Sequence, residues 1–187
     1  RLERPTEVPL RMLLAEVSER GSVLAQGGGG GRLGGGAFGY RINVAAAERR
    51  PYPQDADGRR GFVSGYFDWR VNEGTTLVAE FDYQALRQIS VPGYGLLDGD
   101  GDGVAETLPP PISPRINLNT QPWSAPFESR AAAGSLRWLQ QLGRDWRFAL
   151  QAGGQRIRTD DRIAFPDGCS SGPAYVYPGL CGNYDVD

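Results

Sequence analysis

Two alternating runs that meet at Asn72-Glu73-Gly74 constrain this chain more than any other stretch. From Gly61 onwards, Val63, Gly65, Phe67, Trp69 and Val71 share one face while Ser64, Tyr66, Asp68 and Arg70 share the other, the period of two that belongs to a strand. In the second run Leu77, Ala79, Phe81 and Tyr83 alternate with Glu80, Asp82 and Gln84, Val78 being the exception. The Asn-Glu-Gly between them is expected to supply the positive-φ position of a tight turn, which makes the pair an antiparallel hairpin. Each strand is apolar on one side and polar on the other, so what the chain does depends on which side meets water.

The same alternation recurs. Ala37 to Glu48 places Phe38, Tyr40, Ile42, Val44 and Ala46 on one face and Gly39, Arg41, Asn43, Ala45 and Ala47 on the other. A second hairpin is expected from Ala132, Gly134, Leu136 and Trp138, a turn at Gly143-Arg144-Asp145, and Trp146, Phe148, Leu150 and Ala152. Its other face carries Arg137, Arg147, Gln151 and Gln155. Pro9 to Arg20 reads as a strand in which Leu13, Ala15 and Val17 share a face, although a short helix fits it nearly as well. Ser22 to Gln26 could open a further strand. Gly27 to Gly31 and Gly34 to Gly36 then offer no side chain to either face, and a flexible linker is as good a reading there.

Composition narrows what such a sheet could do. With 40% hydrophobic residues among 187 the chain can bury a core, and a net charge of −2 with the two signs interspersed leaves no basic surface for nucleic acid. There is no histidine, which removes the commonest general base, the commonest zinc ligand and any Ser-His-Asp arrangement, so an enzyme is not expected. No apolar run approaches the roughly 18 residues of a membrane-spanning helix. The chain opens on charged Arg1-Leu2-Glu3-Arg4 without a methionine, as a fragment or processed product would.

The connections are strongly unequal. Asn72 to Gly74 and Gly143 to Asp145 are tight, whereas Pro51 to Gly58, Gln88 to Glu128 and Thr159 to the C-terminus are long and rich in proline, glycine and acids. If consecutive strands are antiparallel neighbours, tight turns fall at one end and long loops at the other. Compact soluble domains rarely hold a structureless connection of about forty residues. Transmembrane barrels do, with short periplasmic turns, long extracellular loops and strands of about ten residues. Trp69 beside one tight turn, and Trp138 and Trp146 flanking another, stand where a periplasmic aromatic girdle would. A soluble β-sandwich would alternate in the same way with its polar face in water, so loop asymmetry and tryptophan placement are what favour the barrel.

Several segments, in order, resemble one family. Arg4-Pro5-Thr6-Glu7-Val8-Pro9-Leu10 resembles the junction at which the plug of a TonB-dependent siderophore receptor passes into its first barrel strand. Phe38-Gly39-Tyr40-Arg41-Ile42-Asn43-Val44 is similar to that family's third strand, and Asp68-Trp69-Arg70 with Asn72-Glu73-Gly74-Thr75-Thr76-Leu77 to its next periplasmic turn. Pro114-Arg115-Ile116-Asn117-Leu118-Asn119, running on to Gln121-Pro122-Trp123, is similar to the late part of the third extracellular loop. Cys169 with Cys181 resembles the disulfide-closed fourth loop of ferrichrome-type members. The glycine run departs from the pattern at the second strand.

The resemblance implies an all-β chain: an antiparallel up-and-down transmembrane β-barrel fragment, about seven strands of a 22-stranded barrel. Residues 1–8 would be the end of the plug and its junction, and 9–187 a partial barrel ending within an extracellular loop. It implies a bacterial outer-membrane receptor and transporter for ferric siderophores, with outer-membrane lipid, the siderophore and, through a plug, the TonB complex as partners. No intrinsic cofactor is expected. The alternative from a different class is a secreted β-sandwich binding or adhesion module.

Individual residues follow from the same resemblance. It implies a bridge between Cys169 and Cys181, against two unpaired thiols, and a bridge closing so short a loop would contribute about 3 kcal/mol. Tyr94 and Phe165 match positions at which aromatics pack against the siderophore, with Trp123, Tyr175 and Tyr177 as weaker ligand-binding candidates; an aromatic in a long loop more often packs the loop itself. Independently of the family, Asp98-Gly99-Asp100-Gly101-Asp102-Gly103 with Glu106 repeats the first half of an EF-hand calcium loop. The twelfth position is Pro109 where a bidentate glutamate belongs, so a solvated acidic loop tip outweighs a calcium site. The polar face of the first hairpin, with Tyr66, Asp68, Arg70, Glu80 and Asp82, would look into the lumen and offer contacts to a plug.

Overall fold

The structure, a computed structural model, describes residues 4–18, 20–92, 96, 104, 106, 108, 113–117, 119 and 124–163. Seven strands form one antiparallel sheet in chain order: β1 (Leu10–Val17), β2 (Val23–Leu33), β3 (Phe38–Arg49), β4 (Gly58–Asn72), β5 (Thr75–Gln88), β6 (Ala125–Leu142) and β7 (Trp146–Arg162). Every strand pairs only with its neighbours in sequence, so the sheet is open and, among the described residues, β1 and β7 each keep one unpaired edge. No second sheet covers either face among the described residues.

Directly opposed residues of an antiparallel ladder project to the same side, and here the register carries the alternation across the whole sheet. One apolar row reads Leu33, Phe38, Trp69, Leu77, Trp138 and Leu150, and the next Gly31, Tyr40, Phe67, Ala79, Leu136 and Ala152. On the other face the corresponding rows are Arg32, Gly39, Asp68, Val78, Arg137, Gln151 and Gly30, Arg41, Tyr66, Glu80, Ser135, Gly153. Phe67 stacks between Phe38 and Phe81 at centroid separations of 6.1 and 6.2 Å, and Trp138 meets Phe148 edge to face at 5.5 Å. From Leu77 to Ala85 the apolar positions of β5 span about 26 Å along the strand. Arg11 on the edge strand β1 and Arg156 on β7 are the charges that stand inside the band, and Arg130 and Arg158 stand in its last row, level with Ala85.

Burial is inverted relative to a water-soluble sheet. The buried side chains of the strands, Arg41, Ser64, Tyr66, Asp68, Val78 and Ala131, all belong to the polar face. The apolar face stays open, with Leu13 86%, Leu136 67% and Trp69 51% exposed. This is the asymmetry expected of a sheet curled towards its polar side, where neighbouring side chains crowd together while those outside fan apart.

The glycine run is a full strand, and its neighbour explains why. On the polar face a Cβ at Gly28 would stand 2.7 Å from Asn43 Oδ1, and one at Gly30 2.8 Å from Arg41 Cδ. The side chains of β3 therefore lie across β2, and the backbone of β2 contributes ladder bonds without occupying that space. The strand ends where Gly34, Gly35 and Gly36 turn with φ of 60°, 66° and 94°.

Residues 34–37, 73–74 and 143–145 make tight turns at one end. The longer connections, 50–57 and 89–124, lie at the other, together with one short exception between β1 and β2 that is closed by a bond from Ser18 N–H to Ser22 O. The turn after β4 corrects the positive-φ expectation. Gly143 is left-handed at φ 67°, but Gly74 is not. Asn72 Oδ1 instead accepts from Gly74 N–H at 2.9 Å, an Asx turn, and a register shift between Arg70 and Asn72 supplies the extra twist.

The Phe81 ring lies directly over Gly65, where a Cβ would collide with it, while a Cβ at Gly61 meets nothing within 4 Å. Gly65→Val should therefore lower stability in urea unfolding by about 1–3 kcal/mol. Gly61→Val, on the same strand and face, should be neutral or slightly stabilising.

Candidate functional site

The polar face is organised by two side-chain networks. The first stands at the tight-turn end and crosses three strands. Arg32 on β2 and Asp68 on β4 share a row with Gly39 of β3 between them. Arg32 Nη1 donates to Asp68 Oδ1 at 2.8 Å and Nη2 to Oδ2 at 3.4 Å, with the two side chains only 11% and 10% exposed. The pair meets because Gly39 has no side chain: a Cβ there would lie 2.6 Å from Asp68 Oδ2 and 3.0 Å from Arg32 Nη1. Arg32 Nη1 also donates to Gly36 O at 3.2 Å, which ties the pair to the β2–β3 turn.

The N-terminal segment closes over this network. Glu7 Oε1 accepts from Arg32 Nε at 2.9 Å and from Arg70 Nη2 at 3.3 Å, and Pro5 lies within 2.9 Å of the space a Gly39 side chain would fill. Residues 4–9 therefore cross the polar side before the chain enters β1. Asp68 and Arg70 share the polar face of β4, as their alternation predicts. Their partners Glu7 and Arg32 were not singled out from the sequence, because a charge that follows a glycine run carries no face label until the register is known.

A second network links β5, β6 and β7. Arg137 Nε donates to Gln151 Oε1 at 3.1 Å, Gln151 Nε2 to Ser135 Oγ at 3.4 Å, and Ser135 Oγ to Glu80 Oε2 at 3.3 Å. These groups form a continuous hydrogen-bonded strip across three strands of the polar face. Among the described residues no group of three or more acidic, cysteine or histidine side chains could hold a metal ion.

At the opposite end the loops bind one another. Gln54 N–H donates to Arg115 O at 2.8 Å, joining the connections after β3 and β5. Asn119 Nδ2 donates to Ser90 O at 3.0 Å, and the Asn117 side chain accepts from Asn119 N–H at 3.0 Å, with both asparagines buried. Arg20 stacks over the Tyr52 ring at 4.0 Å, adding the β1–β2 turn to the cluster. The segment Pro114 to Asn119 thus acts in its described part as an anchor for its own loop.

Trp69, Trp138 and Trp146 stand on the apolar face at the tight-turn end, 51%, 41% and 75% exposed. Of the acidic loop, Glu106 is exposed, while Asp98, Asp100 and Asp102 lie outside the described residues. So do Tyr94, Trp123, Phe165, Tyr175, Tyr177, Cys169 and Cys181. The described site is therefore the polar face of the sheet with the N-terminal segment against it.

Because the Arg32–Asp68 pair is nearly buried, removing one partner strands the other charge. Asp68→Asn should cost about 2–3 kcal/mol in urea unfolding, and Arg32→Met in the same chain should recover part of that loss. Glu7→Gln, at an exposed carboxylate, should cost less than about 0.5 kcal/mol. Comparison with protein-family models and with curated proteins gives no match to this chain.

Proposed function

We propose that this chain forms part of the wall of a TonB-dependent outer-membrane receptor that takes up ferric siderophores. In this reading further strands continue the sheet from β1 and β7 into a 22-stranded barrel, and a plug occupies the polar side. The observation that carries the proposal is the inverted burial: a continuous apolar face left uncovered, and a polar face that holds the buried side chains. Water penalises the first arrangement and lipid rewards it. A soluble sandwich needs a second sheet over that face, and none is present among the described residues.

Three further features support the reading. Tight turns and long connections segregate to opposite ends, apart from the short β1–β2 turn. The tryptophans mark the tight-turn end. The N-terminal segment lies against the polar side through Glu7 and Pro5, where a strand entering from a plug would arrive. The choice of siderophore transport over other barrel functions rests on the resemblance of the quoted segments, and so do Tyr94 and Phe165 as ligand contacts and Cys169–Cys181 as a loop bridge.

Nitroxide labels introduced singly at residues 77 to 84 of the protein in bilayers test the wall. Labels at Leu77, Ala79, Phe81 and Tyr83 should be relaxed by oxygen dissolved in lipid, and those at Val78, Glu80, Asp82 and Gln84 by an aqueous nickel chelate. Loss of that period of two would sink the wall reading. For transport, deleting the gene should abolish TonB-dependent uptake of iron from ferrichrome, ferric citrate or a catecholate in iron-starved cells. Undiminished uptake of all three would overturn the assignment while leaving the wall intact.

A further inference from the structure

We infer that the polar face carries, over β5 and β6, a seat for a short aliphatic diamine, whatever medium covers the apolar side. An open recess of about 490 Å³ lies there, lined on that face by Phe62, Glu80, Asp82, Ala133 and Ser135. The register explains its shape. Asp82 is aligned with Ala133 and Glu80 with Ser135, so two carboxylates of β5 stand beside two small residues of β6. Phe62 on β4, one row nearer the long connections, closes that end.

The ion pairs among the described residues leave both carboxylates out. Glu80 accepts from the Ser135 hydroxyl at 3.3 Å, and Asp82 has no side-chain partner among the described residues. Two arginines of the same face donate to amide oxygens instead, Arg137 Nε to Gln151 at 3.1 Å and Arg60 Nη2 to Gln84 at 3.5 Å. Arg41 shares the row of Glu80 but stands beyond Tyr66. Two acids alone would be a solvated patch, and a second, independent feature distinguishes this one. The row of Asp82 continues through Ser64 on β4 to Asn43 on β3. Ser64 is 2% exposed and its hydroxyl makes no hydrogen bond among the described residues, while Asn43 Oδ1 is buried and accepts none. Buried polar atoms are ordinarily paired. Three adjacent side chains therefore present acceptor oxygens that nothing on the sheet engages.

A primary ammonium brings one charge and three N–H donors, which is the complement of one carboxylate flanked by neutral oxygens. At the Asp82 end it meets that combination, with the face of the Phe62 ring to attract the cation. Glu80, two residues along the same face and about 7 Å away, provides for a second ammonium. A diamine engages both carboxylates at once, and its methylenes cross the floor at Ala133. A metal ion needs several oxygens converging on one point, and no group of three or more acidic, cysteine or histidine side chains among the described residues does this. A guanidinium or a lysine carries a single charge and leaves one carboxylate unmatched. The chain contains no lysine, so an ammonium at this place comes from outside it.

The test is equilibrium dialysis of the full protein, in mild detergent, against radiolabelled 1,4-diaminobutane. The label should be retained saturably, and butylamine, with its single ammonium, should compete at least about tenfold more weakly than unlabelled diamine. Asp82→Asn and Glu80→Gln, which keep shape and remove charge, should each lower affinity about tenfold. Ala133→Leu, which fills the recess and leaves every charge in place, should do the same. Absence of retained label overturns the inference, and so does undiminished affinity in both charge-removing variants. Competition by butylamine as strong as that of the diamine overturns it as well, because the recess would then recognise one ammonium, such as a lysine of a covering segment. Displacement of the diamine by equimolar magnesium also overturns it, since the carboxylates would then act as a diffuse anionic patch. The nitroxide pattern of residues 77 to 84 is read separately, so the seat and the wall stand or fall independently.

Discussion

Register along the backbone ladder is the constraint on which everything else in this sheet depends. Each strand touches only its neighbours in sequence, and no second layer exists among the described residues to correct a misaligned pair. A slip of one residue would turn every side chain of a strand to the other face. On β4 it would exchange Tyr66 and Asp68 for Phe67 and Trp69, setting a carboxylate among stacked rings and stranding Arg32 without its partner. The ladder also satisfies the backbone amides of the interior strands, a requirement that becomes strict wherever lipid replaces water.

Register is held by complementarity between side chains and absent side chains. Asn43 and Arg41 lie over Gly28 and Gly30, Arg32 reaches Asp68 over Gly39, and Phe81 covers Gly65. Moving any of these strands by one position would bring a Cβ or a larger group against an occupied space. The Arg32–Asp68 pair is the strictest of these devices, since it spans β2, β3 and β4 at once and also engages the turn at Gly36. Glycine, which ordinarily weakens a strand, here selects its alignment.

The two faces divide the work. The polar side buries a salt bridge, a pair that is costly to bury singly and stable when matched, and carries a more exposed strip of hydrogen bonds beside it. The apolar side presents aromatic rings near the tight turns, small aliphatic residues above them, and arginines near the long connections. The apolar surface thus runs from aromatic to aliphatic to cationic between its two ends.

The amino-acid sequence by itself determined strands β3 to β7, their two faces and the hairpins at Glu73-Gly74 and Gly143-Asp145, because a period of two is a local property and tight turns leave little choice of partner. It also placed Trp69, Trp138 and Trp146 at one end of the sheet. The tertiary structure alone decided that Gly27 to Gly31 belong to a strand, since glycine has no face and only Asn43 and Arg41 lying across it reveal its role. It decided that Asn72, through its side chain, makes the turn expected of a left-handed Gly74. It also decided that Glu7, Arg32 and Asp68 form one site: residues 25 and 36 positions apart in the chain become neighbours only when the ladder aligns them, and no local pattern encodes that alignment.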